Sequence, residues 1–216
     1  KISEYGVFKG EKKIAGKTEE EVYRVFNMPV IPPELREDRG EIEEALKGNL
    51  PDLVEQKDIL GDFHVHSDFS DGSNTIEEIV QKSISLGYKF IGIADHSQTS
   101  KFAGGMDKQK LLERNKKIDE VAQRYPGIKI FKGAEVDILG NGNLDYPDEI
   151  LAQLDFVIGS IHQGFHKNVT ERMIKAMENP YLDIIGHPTG RLISGREGYD
   201  IDIDRVIEYA GRNGVA

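Results

Sequence analysis

Residues 59–96 read ILGDFHVHSDFSDGSNTIEEIVQKSISLGYKFIGIADH, and the periodicities inside this run decide the fold. Ile59–His66 is an apolar, alternating stretch and predicts a strand. Thr75 followed three residues later by Glu78 is a capping box. It opens a predicted helix whose core side is Ile76, Ile79, Val80 and Ile84, and Gly87 closes it. Lys89–Asp95 returns as a second apolar strand. Strand, helix and strand in one such run predict a parallel pair joined by a helical crossover.

The rhythm continues outward from this unit. Asp107–Tyr125 predicts a helix with Leu111, Leu112, Ile118, Val121 and Ala122 on one face, stopped by Pro126 and Gly127. Ile128–Glu135 is a third strand. A short helix near Pro147–Leu154 leads to a fourth, Phe156–Ile161. Asn168 with Glu171 reads as another capped helix start, carrying Val169, Met173, Ile174 and Met177. Leu182–Gly186 is a fifth strand, Asp202–Arg212 a helix, and Gly214 turns the chain into a further strand. The predicted class is α/β with a parallel sheet.

Before residue 58 the texture differs. Ile2 to Ile14 has short alternating pieces broken at Gly6 and Gly10, as in a small hairpin. Thr18 and Glu21 form a capping-box pattern ahead of Val22, Val25 and Phe26, and Pro29, Pro32 and Pro33 end that helix. A second helix, Arg39 to Lys47, ends at Gly48. Pro51 and the charged stretch 52–58 read as a linker, so the predicted domains are 1–57 and 58–216.

Composition narrows the function classes. The 216 residues hold 28 Lys plus Arg against 38 Asp plus Glu, a net charge of −10, which argues against a protein that coats nucleic acid through a broad basic field. The absence of Cys excludes disulfides, thiolate metal sites and thiol catalysis, and fits a cytoplasmic setting. No apolar run approaches the ~18 residues of a membrane-spanning helix, and no membrane partner is expected. The chain begins with Lys1 and ends at Ala216 inside a predicted strand, so a piece of a longer protein is expected.

The histidines point to chemistry. Five of the six stand at or just past the C-terminal end of a predicted strand: His64 and His66, His96, His162 and His187. In parallel α/β folds that edge is where ligands bind. His-x-His in a strand turns both rings to one face. Glu135, inside an apolar strand, is a buried carboxylate that needs a partner, and a cation is the obvious one. Nitrogen and carboxylate donors without thiolate suit Mn, Zn or Fe better than Ca or Mg. Several imidazoles and one carboxylate able to bridge predict more than one ion, an arrangement suited to phosphoester hydrolysis. Arg191 and Arg196, in the loop after His187, and Lys101, in the loop after His96, are candidate phosphate binders. Asp95 reads as a cap for the turn after its strand, and His166 as a solvated loop residue.

The segments Asp62–His66 with Ser70–Gly72, then Ile93–His96, Gly133–Glu135, Gly159–His162 and Gly186–Pro188 resemble, in this order, the polymerase and histidinol phosphatase (PHP) family of metal-dependent phosphoesterases. The resemblance covers residues 59–216. It implies a distorted (β/α)7 barrel, C-terminally incomplete here, with up to three divalent ions at the strand ends. Tyr5–Phe8, Ile14–Glu21 and Ile31–Asp38 resemble the end of a family X polymerase thumb, which implies a small α+β thumb remnant. Gly190-Arg191 and Arg196–Tyr199 are similar to the bacterial and archaeal members of that polymerase family that carry a PHP domain. The implied activity is 3′-to-5′ exonucleolytic hydrolysis of DNA, with His64, His66, Glu135, His162 and His187 as its catalytic residues and DNA 3′ ends and the remaining polymerase domains as partners. Carried over by residue, His64 and His66 hold one ion with Glu135 bridging. Glu135, His162 and His187 hold a second, and Asp71 and His96 a third. The family adds ligands from a later Asp-x-His motif, so weak metal binding is expected of residues 1–216 alone. The competing expectations are a small-molecule phosphatase of the histidinol-phosphatase type and a non-catalytic DNA-positioning module.

Overall fold

Short alternating pieces early in the chain and longer apolar runs after residue 59 build two separate sheets. The computed structural model describes residues 1–216, and these divide into two compact units, Lys1–Glu55 and Gln56–Ala216. In the first, β1 (Ile2–Ser3), β2 (Gly6–Lys9) and β3 (Lys12–Ala15) form an antiparallel meander in chain order. Helix α1 (Glu19–Val25) starts at Thr18, whose hydroxyl accepts from the Glu21 N–H at 3.3 Å. The reciprocal half of the expected capping box goes elsewhere. The Glu21 carboxylate accepts from the N–H groups of Gly16 and Lys17, tying β3 to the helix start. Helix α2 (Glu41–Lys47) ends on left-handed Gly48, φ 74°, which costs a glycine little.

The second unit alternates as the sequence predicts. Its elements are β4 (Gly61–Val65), α3 (Ile76–Ser85), β5 (Phe90–Ile93), α4 (Lys108–Arg124), β6 (Lys129–Asp137), α5 (Asp148–Leu151), β7 (Phe156–Ser160), α6 (Val169–Ala176), β8 (Ile184–Ile185) and α7 (Ile203–Asn213). All five strands are parallel and lie in chain order, β4-β5-β6-β7-β8. Beyond α7 the chain turns at Gly214, and Ala216 exchanges backbone hydrogen bonds with Asp183 and Ile185 beside β8. Strands in chain order mean that every crossover steps the same way, so the sheet curls instead of reversing. The result is an α/β half-barrel.

Period-two alternation sorts its side chains. Ile91, Ile93 and Ile130 pack outward against Ile76, Val80, Ile118 and Val121 of α3 and α4. Ala134, Val136, Val157 and Ile161 pack with Val169 and Met173 of α6. Phe63, Phe131, Phe156, Ala94 and Ile158 form a separate cluster on the other face. The Phe63 ring lies 5.0 Å from Phe90, 5.4 Å from Phe131 and 5.1 Å from Phe156. Gly133 makes room for this layer: a Cβ there would stand 2.1 Å from the Phe156 ring.

Strand β4 is irregular in its pairing. Asp62 pairs with Ile91 but Val65 pairs with Ile93, so three steps of β4 face two of β5. This bulge keeps Asp62 and Val65 on the helix side while Phe63, His64 and His66 take the inner side. The Asp62 carboxylate accepts from the His64 N–H at 2.9 Å, satisfying a donor on this edge strand. A second irregularity corrects the sequence reading. Asn168 precedes α6 with φ 48° and makes no side-chain cap, because its left-handed backbone carries the amide away from the helix N–H groups. No helix is long and apolar enough to cross a membrane.

Gly133→Ala is expected to cost about 1–3 kcal/mol through overpacking against Phe156. Gly127→Ala, where a Cβ meets nothing within 4 Å, is expected to stay within about 0.5 kcal/mol of the parent. Urea unfolding of both variants checks this, and equal midpoints would refute the packing account.

Candidate metal centre

The inner face of the curled sheet ends in a ring of titratable side chains. β4 delivers His64 and His66 through its bulge. His96 follows β5 and pairs as an isolated bridge with Glu135 of β6. His162 follows β7 on the same parity as Ser160. His187, just past β8, has φ 28°, a left-handed conformation uncommon for a non-glycine residue. Alternation along β8 gives its outer face to Ile185, which packs in the outer core, so the kink at His187 is what turns the ring back over the edge.

Glu135 is the hub and is 1 % exposed. Its Oε1 is 2.7 Å from His187 Nε2 and 3.3 Å from both His64 Nε2 and His162 Nε2. Its Oε2 is 3.0 Å from His96 Nδ1 and 3.4 Å from His66 Nε2. Asp71 stands across from the same pair, 3.4 Å from His66 Nδ1 and 3.5 Å from His96 Nε2. Buried Nδ1 atoms of His66 and His96 make no hydrogen bond. Donor atoms around 3.3 Å apart, with imidazole nitrogens left unsatisfied, fit the edges of a tetrahedron about an ion with ~2.0–2.1 Å bonds. Three groupings bring their ligand atoms within 4.8 Å of one another: His64, His66 and Glu135; His66, Asp71 and His96; and His96, Glu135 and His162. The first matches the grouping carried over from the family. In the third, His96 stands where His187 was expected, because the His96 ring lies between its neighbours, 4.4 Å from His66 and 4.9 Å from His162. His187 meets Glu135 by a direct hydrogen bond.

Local chemistry holds the Asp71 loop and His162. Asp71 sits on a tight loop in which Ser70 and Gly72 both donate backbone N–H groups to the Ser67 carbonyl. Asp95, read from sequence as a cap for the following turn, instead braces the preceding loop. It accepts from the Ser67 N–H at 2.6 Å, the Ser67 hydroxyl at 2.9 Å and the Ser70 hydroxyl at 2.8 Å. Behind it the wholly buried Arg114 lies 3.5 Å away and also donates to the Ile93 and Gly133 carbonyls. Asp137 accepts from His162 Nδ1 at 2.6 Å and from Ser100 Oγ at 2.9 Å, and also bonds Thr99 Oγ1. That bond fixes the His162 tautomer with Nε2 toward Glu135. Sequence reasoning gave Asp137 no role, although its i+2 spacing from Glu135 placed it on the same face of β6.

The other candidates lie farther out. Lys101 and Arg191 are exposed, and so is His166. The Arg196 guanidinium donates twice to the Gly190 carbonyl, at 3.1 and 2.8 Å, and covers the Phe165 ring at 4.1 Å. It braces the loop after His187.

Electrostatics follow the geometry. Burial alone would push Glu135 toward protonation, but the close approach of His162, His187, His64 and His96 together holds it far below the usual carboxylate range. Burial disfavours a charged His162, yet its bonds to Asp137 and Glu135 prevail and raise its pKa to about 9. His66 moves the other way, lowered by burial and by the neighbouring His96. Without a metal, a proton on His162 supplies positive charge beside Glu135.

Comparison with known proteins gives a matching picture. The family described as "PHP domain" matches residues 62–213, and that described as "DNA polymerase beta thumb" matches residues 1–37. A Bacillus subtilis protein named DNA polymerase/3′-5′ exonuclease PolX is 43% identical over 222 residues, spanning 100% of this chain and 38% of the relative. A probable phosphatase of Caldanaerobacter subterraneus is 35% identical over 162 residues, 71% of this chain and 59% of that one. The structure of histidinol phosphate phosphatase from Lactococcus lactis overlaps 60% of this chain and 58% of its own, with 18% identity and a TM-score of 0.43. The chain thus spans between 38% and 59% of the length of these relatives.

The metal-free protein is expected to lose stability as pH rises from 6.5 through about 9. The His162 pKa is raised from 6.5 to about 9 by folding, so its contribution is complete below 6.5 and gone above 9. Thermal melts across this window, with chelator and then with added Mn²⁺, check it. Added metal should flatten the fall, and a flat profile with chelator would refute the assignment. Asp137→Asn is expected to weaken metal binding about 10–100-fold by releasing the His162 ring, as read by calorimetric titration.

Proposed function

The chain belongs to the PHP domain family, and on that premise we propose that its second unit is a metal-dependent phosphoesterase acting on DNA 3′ ends. The observation that carries this reading is the convergence of five imidazoles and Asp71 around one buried carboxylate, with two buried ring nitrogens left without hydrogen bonds. His64, His66, Asp71, His96, Glu135, His162 and His187 would hold the ions, of which Mn, Zn and Fe suit the donor set. Such ions lower the pKa of water and neutralise charge on a phosphoryl group. The protein's own part is positional. The β4 bulge aims His64 and His66, Asp137 sets the His162 tautomer, and Asp95 with Arg114 holds the Asp71 loop. Exposed Lys101 and Arg191 are within the loops that follow His96 and His187, and their charge would draw a phosphodiester toward the edge despite the net −10.

DNA is favoured as substrate because a thumb match at residues 1–37 precedes the PHP match in the same chain. On this reading residues 1–57 are the last part of a polymerase thumb with its linker, 58–216 belong to the phosphoesterase domain, and the whole is a cytoplasmic family X repair polymerase with 3′-to-5′ exonuclease activity. A small-molecule phosphatase is the second reading, favoured by relatives named probable phosphatases at 30–35% identity.

The test uses the full-length protein, labelled single-stranded and gapped DNA, and Mn²⁺. Nucleotide release from 3′ ends is expected, with H64A and H66A each reducing it at least about 100-fold, as loss of a metal-activating residue does. Turnover of histidinol phosphate without DNA shortening would select the second reading. DNA binding with no hydrolysis of either would leave a DNA-positioning module.

A further inference from the structure

Phe102 is a large aromatic side chain that the fold does not use. It is 75 % exposed and belongs to none of the three apolar clusters. Its ring centroid nonetheless lies 6.5 Å from His96 and 6.3 Å from His162, at the rim of the metal centre. Exposed rings are common on mobile loops, but this one stands on a braced pedestal. The turn Lys101–Ala103 begins at buried Ser100, whose hydroxyl bonds Asp137. Ala103 is buried at 4 %, and the N–H groups of Ala103 and Gly105 both donate to the Ser100 carbonyl. Gly104 adopts φ +67° and lies against Ser70, where a Cβ would come within 3.1 Å of the Ser70 carbonyl oxygen. The pedestal is therefore fixed to the Asp71 loop on one side and to Asp137, the partner of His162, on another.

A rigid, uncovered π-face beside a phosphate-directed centre has an identifiable ligand chemistry. Bases stack on such rings irrespective of sequence, while adjacent cations take the backbone. Lys101, the preceding residue, supplies the cation. We propose that Phe102 is a stacking platform for the nucleobase attached to the phosphate being processed. This gives the centre a preference for nucleotides over sugar phosphates and other small phosphoesters. The proposal rests on the phosphodiester reading of the same centre but is separable from it.

Equilibrium binding separates the two. Deoxyadenosine monophosphate and deoxyribose 5-phosphate would be titrated calorimetrically into the manganese-loaded full-length protein, its F102A variant and its F102W variant. The parent is expected to bind the base-bearing ligand about tenfold more tightly, the scale of one base–aromatic stack. F102A should abolish that preference without changing affinity for the sugar phosphate, and F102W should keep it. A parent with no preference, an F102A protein that retains it, or an F102A protein weakened equally for both ligands would each overturn the proposal. A Phe102-dependent preference in a protein that does not shorten DNA would uphold the platform and reject the exonuclease. DNA shortening with an unchanged preference in F102A would do the reverse.

Discussion

A carboxylate cannot be left charged and dry inside a protein, and Glu135 is both buried and ionised. Everything at the C-terminal edge of the sheet answers that constraint. Five imidazoles approach its two oxygens from four other strand ends, and Asp137 orients one of them, His162, from behind. The contacts do not amount to a satisfied hydrogen-bond network, since buried nitrogens of His66 and His96 make no hydrogen bond. A site that leaves good donors idle in the apo state is organised around a positive charge brought from outside.

The curled sheet makes the convergence possible. Parallel strands in chain order put every strand end on one rim, and curvature draws the rims of β4 and β8 toward β6. Curvature in turn depends on the inner layer of phenylalanines and on glycines that give Phe156 its space. Substitutions in that layer, well below the ligands, act on the spacing of the rim above.

Much of this was legible from local pattern. Thr75 caps its helix as its position predicts, Asp107 and Asp202 mark helix starts where the pattern put them, and five histidines fall at strand ends. What was hidden depends on partners far away in sequence. His-x-His says that two rings share a face, but only the register of β4 against β5 says which face. Asp95 has the same local context as a turn cap, yet its acceptors are spent on residues 25 and 28 positions earlier. Asn168 followed by Glu171 satisfies the capping rule in letters, while the backbone at φ 48° makes it unusable. Periodicity and capping are short-range physics. Bulges, braces and left-handed kinks are settled by packing.

The three ligand groupings share members, and lone pairs make that sharing exclusive. A neutral imidazole has one nitrogen free to coordinate. The grouping with Asp71 draws on both His66 and His96, and so competes with each of the other two. Those two meet only at Glu135, whose pair of oxygens can serve both. The edge therefore behaves less like three separate sockets than like seats with common armrests. Ions at the His64 and His162 groupings would share Glu135 alone, whereas an ion beside Asp71 would draw His66 from one of them and His96 from the other.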